Sequence, residues 1–487
     1  MAENNTLAHT NVHAQYEVNI GIEVHVQLST QSKIFCPCAN GPAQEANQNI
    51  CPICTGQPGV LPVLNKQVVD YAIMAALATN SKINQTTRFA RKHYFYPDLP
   101  KGFQITQSDL PICEEGIVPI RLEDESTKKI RLIRIHMEED AGKNIHSHIT
   151  DESFVDLNRA GTPLLEIVSY PDIASSAEAR AYLKTLRSIV MYLNVCSGNM
   201  EDGAFRADTN ISVRKKGASK LGTRCELKNI NSFKFIGDAI EHEIGRQIGI
   251  LERGELVKQE TRLWDTKEHI TIMMRSKEEA ADYRYFNEPD LPELQIDDAW
   301  IAKIKAQMPE LPYEKFDRLC AQGLTPYETE ILVNDLELAN FYEQAYALTK
   351  SKLLINWVLR DLMALIKEQK LTFAECKITP AHIAELVMLI ETNVINNRAA
   401  QEIFEAMSEN GKMPKALVEE LGLQQIGSST ELEALVKEIV NANPGQVADY
   451  KAGKTKLWAF FVGQAMAKTQ GRANPQQINE LLKKYLQ

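Results

Sequence analysis

Glu23 and His25 sit two residues apart in a stretch, residues 20–28, that alternates without a fault. Ile20, Ile22, Val24, Val26 and Leu28 are apolar, and Gly21, Glu23, His25 and Gln27 are not. Period-two alternation marks a half-buried strand whose successive side chains point to opposite faces. The carboxylate and the imidazole therefore share the face turned away from the core. Such a pair is either a solvated couple on an open sheet or a metal-ligand or acid/base arrangement. Two further points extend the second reading. Glu138-Glu139-Asp140 stands where an alternating strand runs into a turn, and Glu166 lies within Leu164-Leu165-Glu166-Ile167-Val168. A carboxylate among apolar neighbours is costly to bury unpaired, so Glu166 faces water or binds a cation. Oxygen ligands with one histidine suit Mg²⁺ or Mn²⁺ holding a nucleotide.

The thiols make a second constellation. Cys36-Pro-Cys38 and Cys51-Pro-Ile-Cys54 are two close pairs separated by twelve residues. Two tight knuckles of this kind aim four sulfurs at one tetrahedral Zn²⁺, and four thiolates leave no open position, so the role is structural. Cys113, Cys196, Cys225, Cys320 and Cys376 are scattered and read as core.

Residues 91–103, Arg-Lys-His-Tyr-Phe-Tyr-Pro-Asp-Leu-Pro-Lys-Gly-Phe, interleave cations with rings. They read either as an ordinary aromatic strand or as a segment that neutralises phosphates and stacks on bases. Cations recur at Lys215-Lys216 and within residues 224–229. Residues 441–487 carry seven cations against Asp449 and Glu480; this local +5 leaves −15 for the rest of a chain of net charge −10. A basic end on an acidic body is either a solvated helical face or one confined polyanion site, with Lys454, Lys456, Lys468 and Arg472 its candidate contacts. There is no Walker A loop: Ala448 stands where the first glycine belongs before Gly453-Lys454-Thr455. A Gly-x-Ser-x-Gly elbow, a dinucleotide fingerprint and a nucleophile with a base partner are also missing. Amide chemistry on such a chain would need activated phosphate or a partner.

The elements that must position these groups follow from pattern. A length of 487 residues implies two or three domains, and 44% hydrophobic with 24% charged residues implies globular ones. No apolar run approaches a bilayer span. Residues 1–15 lack a signal core and read as a disordered lead, which makes the cytoplasm the default location and the cysteines thiols or ligands. Residues 16–295 read as strands interrupted by helices at 66–77, 176–193 and 233–253. Residues 155–159 and 164–169 flank Ala160-Gly161-Thr162 as a hairpin, and 205–214 pairs with 224–230. The expected class is α+β with a largely antiparallel sheet. Pro289, Pro292, Pro309 and Pro312 mark a boundary. Residues 296–427 then read as an all-α domain and 428–487 as a small helical tail, with cap–proline starts at Thr379-Pro380, Asn443-Pro444 and Asn474-Pro475.

Taken together, Gly21-Ile-Glu-Val-His-Val-Gln-Leu28, the cysteine knuckles, residues 91–98, His136-Met-Glu-Glu-Asp-Ala-Gly-Lys143, residues 156–168 and Asp282-Tyr-Arg-Tyr-Phe286 resemble the B-subunit family of bacterial aspartyl/glutamyl-tRNA amidotransferases. The likeness runs in order from about Tyr16 to the C-terminus. It implies a catalytic domain similar in fold to glutamine synthetase. It also implies a heterotrimer with a glutaminase subunit, which releases ammonia, together with a small linker subunit. The implied reaction is ATP-dependent phosphorylation of the side-chain carboxylate of misacylated Glu-tRNA(Gln) or Asp-tRNA(Asn), followed by displacement of phosphate by ammonia. By the resemblance, the Mg²⁺ site falls on His25, Glu139 and Glu166, with Glu23 beside them. Lys92 and Lys101 would steady phosphates. Tyr94, Asn158, Arg159, Asp208, Asn210, Glu226 and Lys228 are expected to meet ATP or substrate. Family members differ in carrying the four cysteines, which again makes Zn²⁺ at Cys36, Cys38, Cys51 and Cys54 structural. The tail is expected to contact tRNA. Two other classes, a zinc-bearing RNA adaptor and a metal-dependent hydrolase acting alone, would be separated from this one by ATP turnover and by ammonia-dependent product formation.

Overall fold

The computed structural model describes residues 15–146, 151–276, 282–424, 429–469 and 473–486. The expected lead therefore lies outside the described residues except for Gln15, and so does Arg472. The chain divides into two compact units, residues 1–318 and 319–487.

Unit one is α+β around a ten-stranded sheet. The strands that matter for function are β1 (Tyr16–Gln27), β4 (Thr127–Glu139), β5 (Pro163–Ser169), β6 (Phe205–Lys215), β7 (Cys225–Ile230), β8 (Glu260–Asp265) and β9 (Ile270–Ser276). Their order is β9-β8-β7-β6-β1-β5-β4, continued by the short strands Cys113–Glu114 and Lys82–Ile83, with Ile117–Arg121 also on β4. Every neighbouring pair is antiparallel except β7 and β8. A smaller three-stranded sheet holds β2 (Ala90–His93), β3 (Phe103–Thr106) and β10 (Phe286–Asn287).

Ile20, Ile22, Val24 and Val26 of β1 are fully buried, as the alternation requires. Burying each such side chain stabilises by about 2 kcal/mol before conformational entropy is counted. The same core takes the apolar faces of α1 (Lys66–Ala78), α2 (Ser176–Tyr192) and α3 (Phe233–Glu252). Asn65 and Ser175 cap α1 and α2, their side chains accepting from the N–H groups of Gln67 and Glu178.

The hairpin expected around Ala160-Gly161-Thr162 does not form. Residues 153–156 pair instead with Lys143–His146, and β5 inserts between β1 and β4. Burial decides this: β5 is buried along almost all of both faces, which only a central strand satisfies, whereas Ser153 and Phe154 are exposed. The pairing of β6 with β7 is as expected.

The first core also reaches past the proline-rich stretch. Ile296, Ile304 and Leu311 are buried in it, and Trp300 donates from its indole to Asp70 on α1 at 2.6 Å. Helix Asp298–Lys305 thus packs with the sheet domain, and the division falls at residue 318 rather than near 295.

Unit two is helical. Thr379 caps helix Pro380–Glu391 reciprocally with His382. The helix expected at 353–368 is present but contains a π-turn over Trp357–Leu362. The last helices, Ser429–Ala442, Pro444–Lys451, Leu457–Lys468 and Pro475–Leu486, enclose their own core of Leu432, Val436, Ile439, Phe461, Ile478 and Leu482. Among the described residues no helix is long and apolar enough to cross a membrane.

Candidate active site

Register builds the site. His25 on β1 lies directly opposite Glu166 on β5, and Glu166 lies opposite His136 on β4. Three polar side chains therefore stand in a row across three adjacent strands, on the face away from the helices. His25 Nε2 and His136 Nε2 approach the same Glu166 oxygen at 3.4 and 3.3 Å. Glu138, two residues beyond His136 and so on its face, completes the cluster at 3.6 Å from His25 and 3.7 Å from His136. Thr106 on β3 donates to Glu138 at 3.1 Å.

One ligand atom each from His25, Glu138 and Glu166 lies within 4.8 Å of the others. One imidazole nitrogen and two carboxylates are donors that suit a hard divalent ion. The expected third ligand is Glu139, and the structure places it elsewhere. Adjacent strand residues face opposite ways, so Glu139 points through the sheet, pairing with Lys101 and accepting from Ile105 N–H at 2.8 Å. The Lys101–Glu139 pair lines a separate cavity of about 210 Å³, together with Arg91, Glu288, Phe35 and Cys54. His136 is the residue that sequence reasoning misses, and of the carboxylate run at 138–140 it is Glu138 that joins the cluster; the i, i+2 spacing of His136 and Glu138 on an alternating strand is the signal that points to both.

The electrostatics are those of a closed charge network. Burial alone would depress the basicity of both histidines. The hydrogen bond and charge of Glu166 and the charge of Glu138 outweigh it, raising His25 and pushing His136 up to about 9. Burial would likewise raise Glu138 and Glu166. Their histidine partners reverse this and hold both below the usual carboxylate range. Glu23 differs: burial first, then Glu166, Asp208 and Glu226, push its carboxyl up, against the charge of Lys228.

A second acidic group adjoins the first along β1, β6 and β7. Glu23 lies opposite Asp208, and Asn210 donates to Glu23 at 3.0 Å. Lys228 bridges Asp208 at 2.5 Å and Glu226 at 3.2 Å, and this pairing raises it despite burial. Lys92 on β2 faces the site. Burial opposes its charge, but Glu138 and Glu166 hold the ammonium protonated. Tyr94 follows, its hydroxyl donating to Gln104 at 3.3 Å.

Glu23, His25, Glu166, Asp208, Asn210, Glu226 and Lys228 thus cluster on adjacent strands of the sheet, with Lys92 close enough to feel the charges of Glu138 and Glu166. Asn158 and Arg159 have other duties. Asn158 accepts from Asn49 N–H and donates to the Glu45 carbonyl, bracing the knuckle segment. Arg159 donates to the carbonyls of Ala141 and Gly142, fixing the turn after β4.

The four sulfurs of Cys36, Cys38, Cys51 and Cys54 lie within 4.8 Å of one another. Sulfurs about 2.3 Å from a tetrahedral zinc sit roughly 3.8 Å apart, so the set fits that ion. Cys36 donates to Cys54, which with the Cys51 N–H and the Lys33 charge lowers Cys54 to about 4, while burial raises Cys38 to about 11. Lys33 is fully buried, donating to the Asn49 carbonyl at 2.7 Å with its Nζ 3.7 Å from Cys54 Sγ. In the tail, Lys454 and Lys468 pair with Asp449 and Glu438 at 3.0 and 2.6 Å, and Lys456 is exposed.

Fold and site define the class: an α+β enzyme with an acidic, histidine-bearing cluster on one face of a largely antiparallel sheet, suited to a divalent cation. A family model for the GatB/GatE catalytic domain matches residues 18–302, and one for the GatB domain matches residues 340–486. The chain belongs to this GatB family. It is 50% identical to the aspartyl/glutamyl-tRNA(Asn/Gln) amidotransferase B-subunit of Thermodesulfovibrio yellowstonii over 97% of this chain and 99% of that protein. It is 51% identical to the like-named protein of Syntrophotalea carbinolica and 52% identical to that of a Geobacter species, again over 97% of this chain and at least 99% of theirs.

Proposed function

We propose that this chain is the transamidase subunit of a glutamine-dependent aminoacyl-tRNA amidotransferase. It phosphorylates the side-chain carboxylate of Glu-tRNA(Gln) or Asp-tRNA(Asn) with ATP and lets ammonia displace the phosphate. The observation that carries the reading is the His25–Glu166–His136 row with Glu138 at its end, facing Lys92.

A carboxylate is a poor electrophile because its leaving group would be oxide. Attack of a carboxylate oxygen on the γ-phosphorus, with departure of ADP, gives an acyl phosphate. Ammonia then adds at the acyl carbon, phosphate leaves, and one proton is lost from nitrogen. His25, Glu138 and Glu166 would hold Mg²⁺, which when bound offsets the charge that collects on the phosphate oxygens. Lys92 would meet the same anion, kept charged by Glu138 and Glu166. Asp208, Asn210, Glu226 and Lys228 form the adjoining wall, where nucleotide phosphates or the substrate amino group would be held. Lys101 and Glu139 serve the neighbouring cavity. Zn²⁺ held by Cys36, Cys38, Cys51 and Cys54 would brace the segment in which Cys54 and Lys33 pack beside Gly161.

The same reading places this chain in the cytoplasm, in a trimer with a glutaminase and a small linker protein, and gives the basic tail the tRNA body. The test is to purify the chain with those partners and assay misacylated tRNA with ATP and Mg²⁺. Amide should form with glutamine or with ammonium. The chain alone should not hydrolyse glutamine. Failure of the trimer to amidate with ammonium overturns the proposal.

A further inference from the structure

An antiparallel ladder sets two aromatic segments side by side above the acid site. β10 pairs with β2, Phe286 opposite Arg91, and the His93 N–H continues the ladder by donating to the Tyr283 carbonyl at 3.0 Å. This brings Tyr94 against Tyr283 and sets Tyr285 near Lys92, with Tyr96 continuing the row beyond Tyr94. Four rings meet in series: Tyr96 to Tyr94 at 6.1 Å, Tyr94 to Tyr283 at 6.2 Å, and Tyr283 to Tyr285 at 6.0 Å between centres. All three contacts are edge-on, with planes 66–74° apart. The middle pair is half-buried, while the ends are open, Tyr96 being 56% and Tyr285 46% exposed. Lys92 Nζ sits 5.0 Å from the Tyr283 ring centre and 5.9 Å from that of Tyr94. Arg284 is exposed between the last two tyrosines.

No core explains exposed rings in a row with cations at their side. We propose that Tyr96, Tyr94, Tyr283 and Tyr285 form a stacking platform for the unpaired 3′-terminal bases of the aminoacyl-tRNA. The inference rests on the function proposed above and adds the place where the acceptor end lies. Chemistry selects this occupant over the adenine of ATP. The amino acid is esterified to the last ribose, so the terminal base lies one ribose and one amino acid from the reacting carboxylate. ATP offers a single base at a similar distance from its reacting phosphorus, whereas the acceptor end offers several consecutive unpaired bases to a row of four rings. Lys92 reaches both the tyrosines and the acid site, and with Arg284 supplies the positive charge that a phosphate backbone requires. Rings stack on any base without reading it, which fits an acceptor end shared by substrates that differ elsewhere.

The test uses the assembled trimer and tRNA carrying 2-aminopurine at its terminal adenine. Binding to the wild-type trimer should quench the probe. Tyr96→Leu and Tyr285→Leu should each relieve the quenching and raise KM for aminoacyl-tRNA about tenfold, with KM for ATP unchanged. Tyr285→Phe should keep both, since it keeps the ring. Three results overturn the platform: no quenching in the wild type; leucine variants with wild-type quenching and KM; or a rise in KM for ATP in place of that for tRNA. Loss of trimer assembly in the leucine variants alone would also overturn it, by showing that a protein partner covers the rings. A wild-type trimer that amidates normally while the variants show no change fails the platform and leaves the function standing. A wild-type trimer that cannot amidate fails the function.

Discussion

His136 Nε2 lies 3.3 Å from Glu166 Oε2, and the two residues are direct cross-strand neighbours. Glu166 therefore carries an imidazole on either side, His25 being its partner on β1. The two flanking rings keep the carboxylate ionised despite its burial.

This geometry separates two adjacent glutamates. His25→Ala and Glu138→Gln should each lower ammonium-dependent amidation by at least about 100-fold, the typical cost of removing one electrostatic contact from a transition state. Both should also weaken Mn²⁺ binding measured by electron paramagnetic resonance. Glu139→Gln, which faces Lys101, should leave Mn²⁺ binding intact. Equal loss of Mn²⁺ in the two glutamate variants would show that the ligand assignment is wrong.

The knuckles should hold about one zinc per chain, as four clustered thiolates do. Cys51→Ser should lower the metal content and the melting temperature. Lys33→Met should hasten zinc release to a chelator, because the buried ammonium next to Cys54 offsets the negative charge of four thiolates around a dication. A Lys33→Met chain that loses zinc at the wild-type rate would limit that lysine to holding the Asn49 carbonyl.

Glu243 is fully buried between Arg246, Arg262 and Gln247. Burial would raise its carboxyl, but the Arg246 and Gln247 hydrogen bonds and the arginine charges hold it below its ordinary 4.5. A depressed carboxylate contributes stability that is complete above the unfolded value and is lost as pH falls through the folded one. Protection from hydrogen exchange in peptides from α3 and β8, relative to the intrinsic rate at each pH, should therefore fall below about pH 4.5. Glu243→Gln should destabilise this region at neutral pH by about 2 kcal/mol, since half-buried Arg246 loses its carboxylate partner while Arg262 keeps Glu260. It should also flatten the acid limb of the profile. A variant with the wild-type pH profile would show that other carboxylates set it.

In the tail, Lys454 and Lys468 make exposed pairs that are worth little in water and exchange readily for phosphate. Replacing Lys454 and Lys456 by Ala should reduce the log–log salt slope of tRNA affinity by roughly one unit per lost contact. Deleting residues 428–487 should raise KM for tRNA and leave the zinc and Mn²⁺ sites formed. Unchanged affinity in the tail-deleted trimer would mean that these lysines serve only solubility.

Local pattern alone determined a good deal. The alternation of residues 20–28 set Glu23 and His25 on one face of a buried strand, and close spacing set the four cysteines around one point, because both are short-range geometric constraints. Cap–proline pairs placed the starts of the helices at Pro380, Pro444 and Pro475. Long-range pairing decided the rest. Whether Glu138 or Glu139 joins His25 depends on which face of β4 meets β5, and a one-residue change in register would exchange them. The burial of both faces of β5 drew it between β1 and β4 and away from the nearby strand at 153–156. That insertion aligned His25, Glu166 and His136. The same long-range pairing brought Tyr283 beside Tyr94 from almost two hundred residues away, a relationship invisible in the segment of either ring.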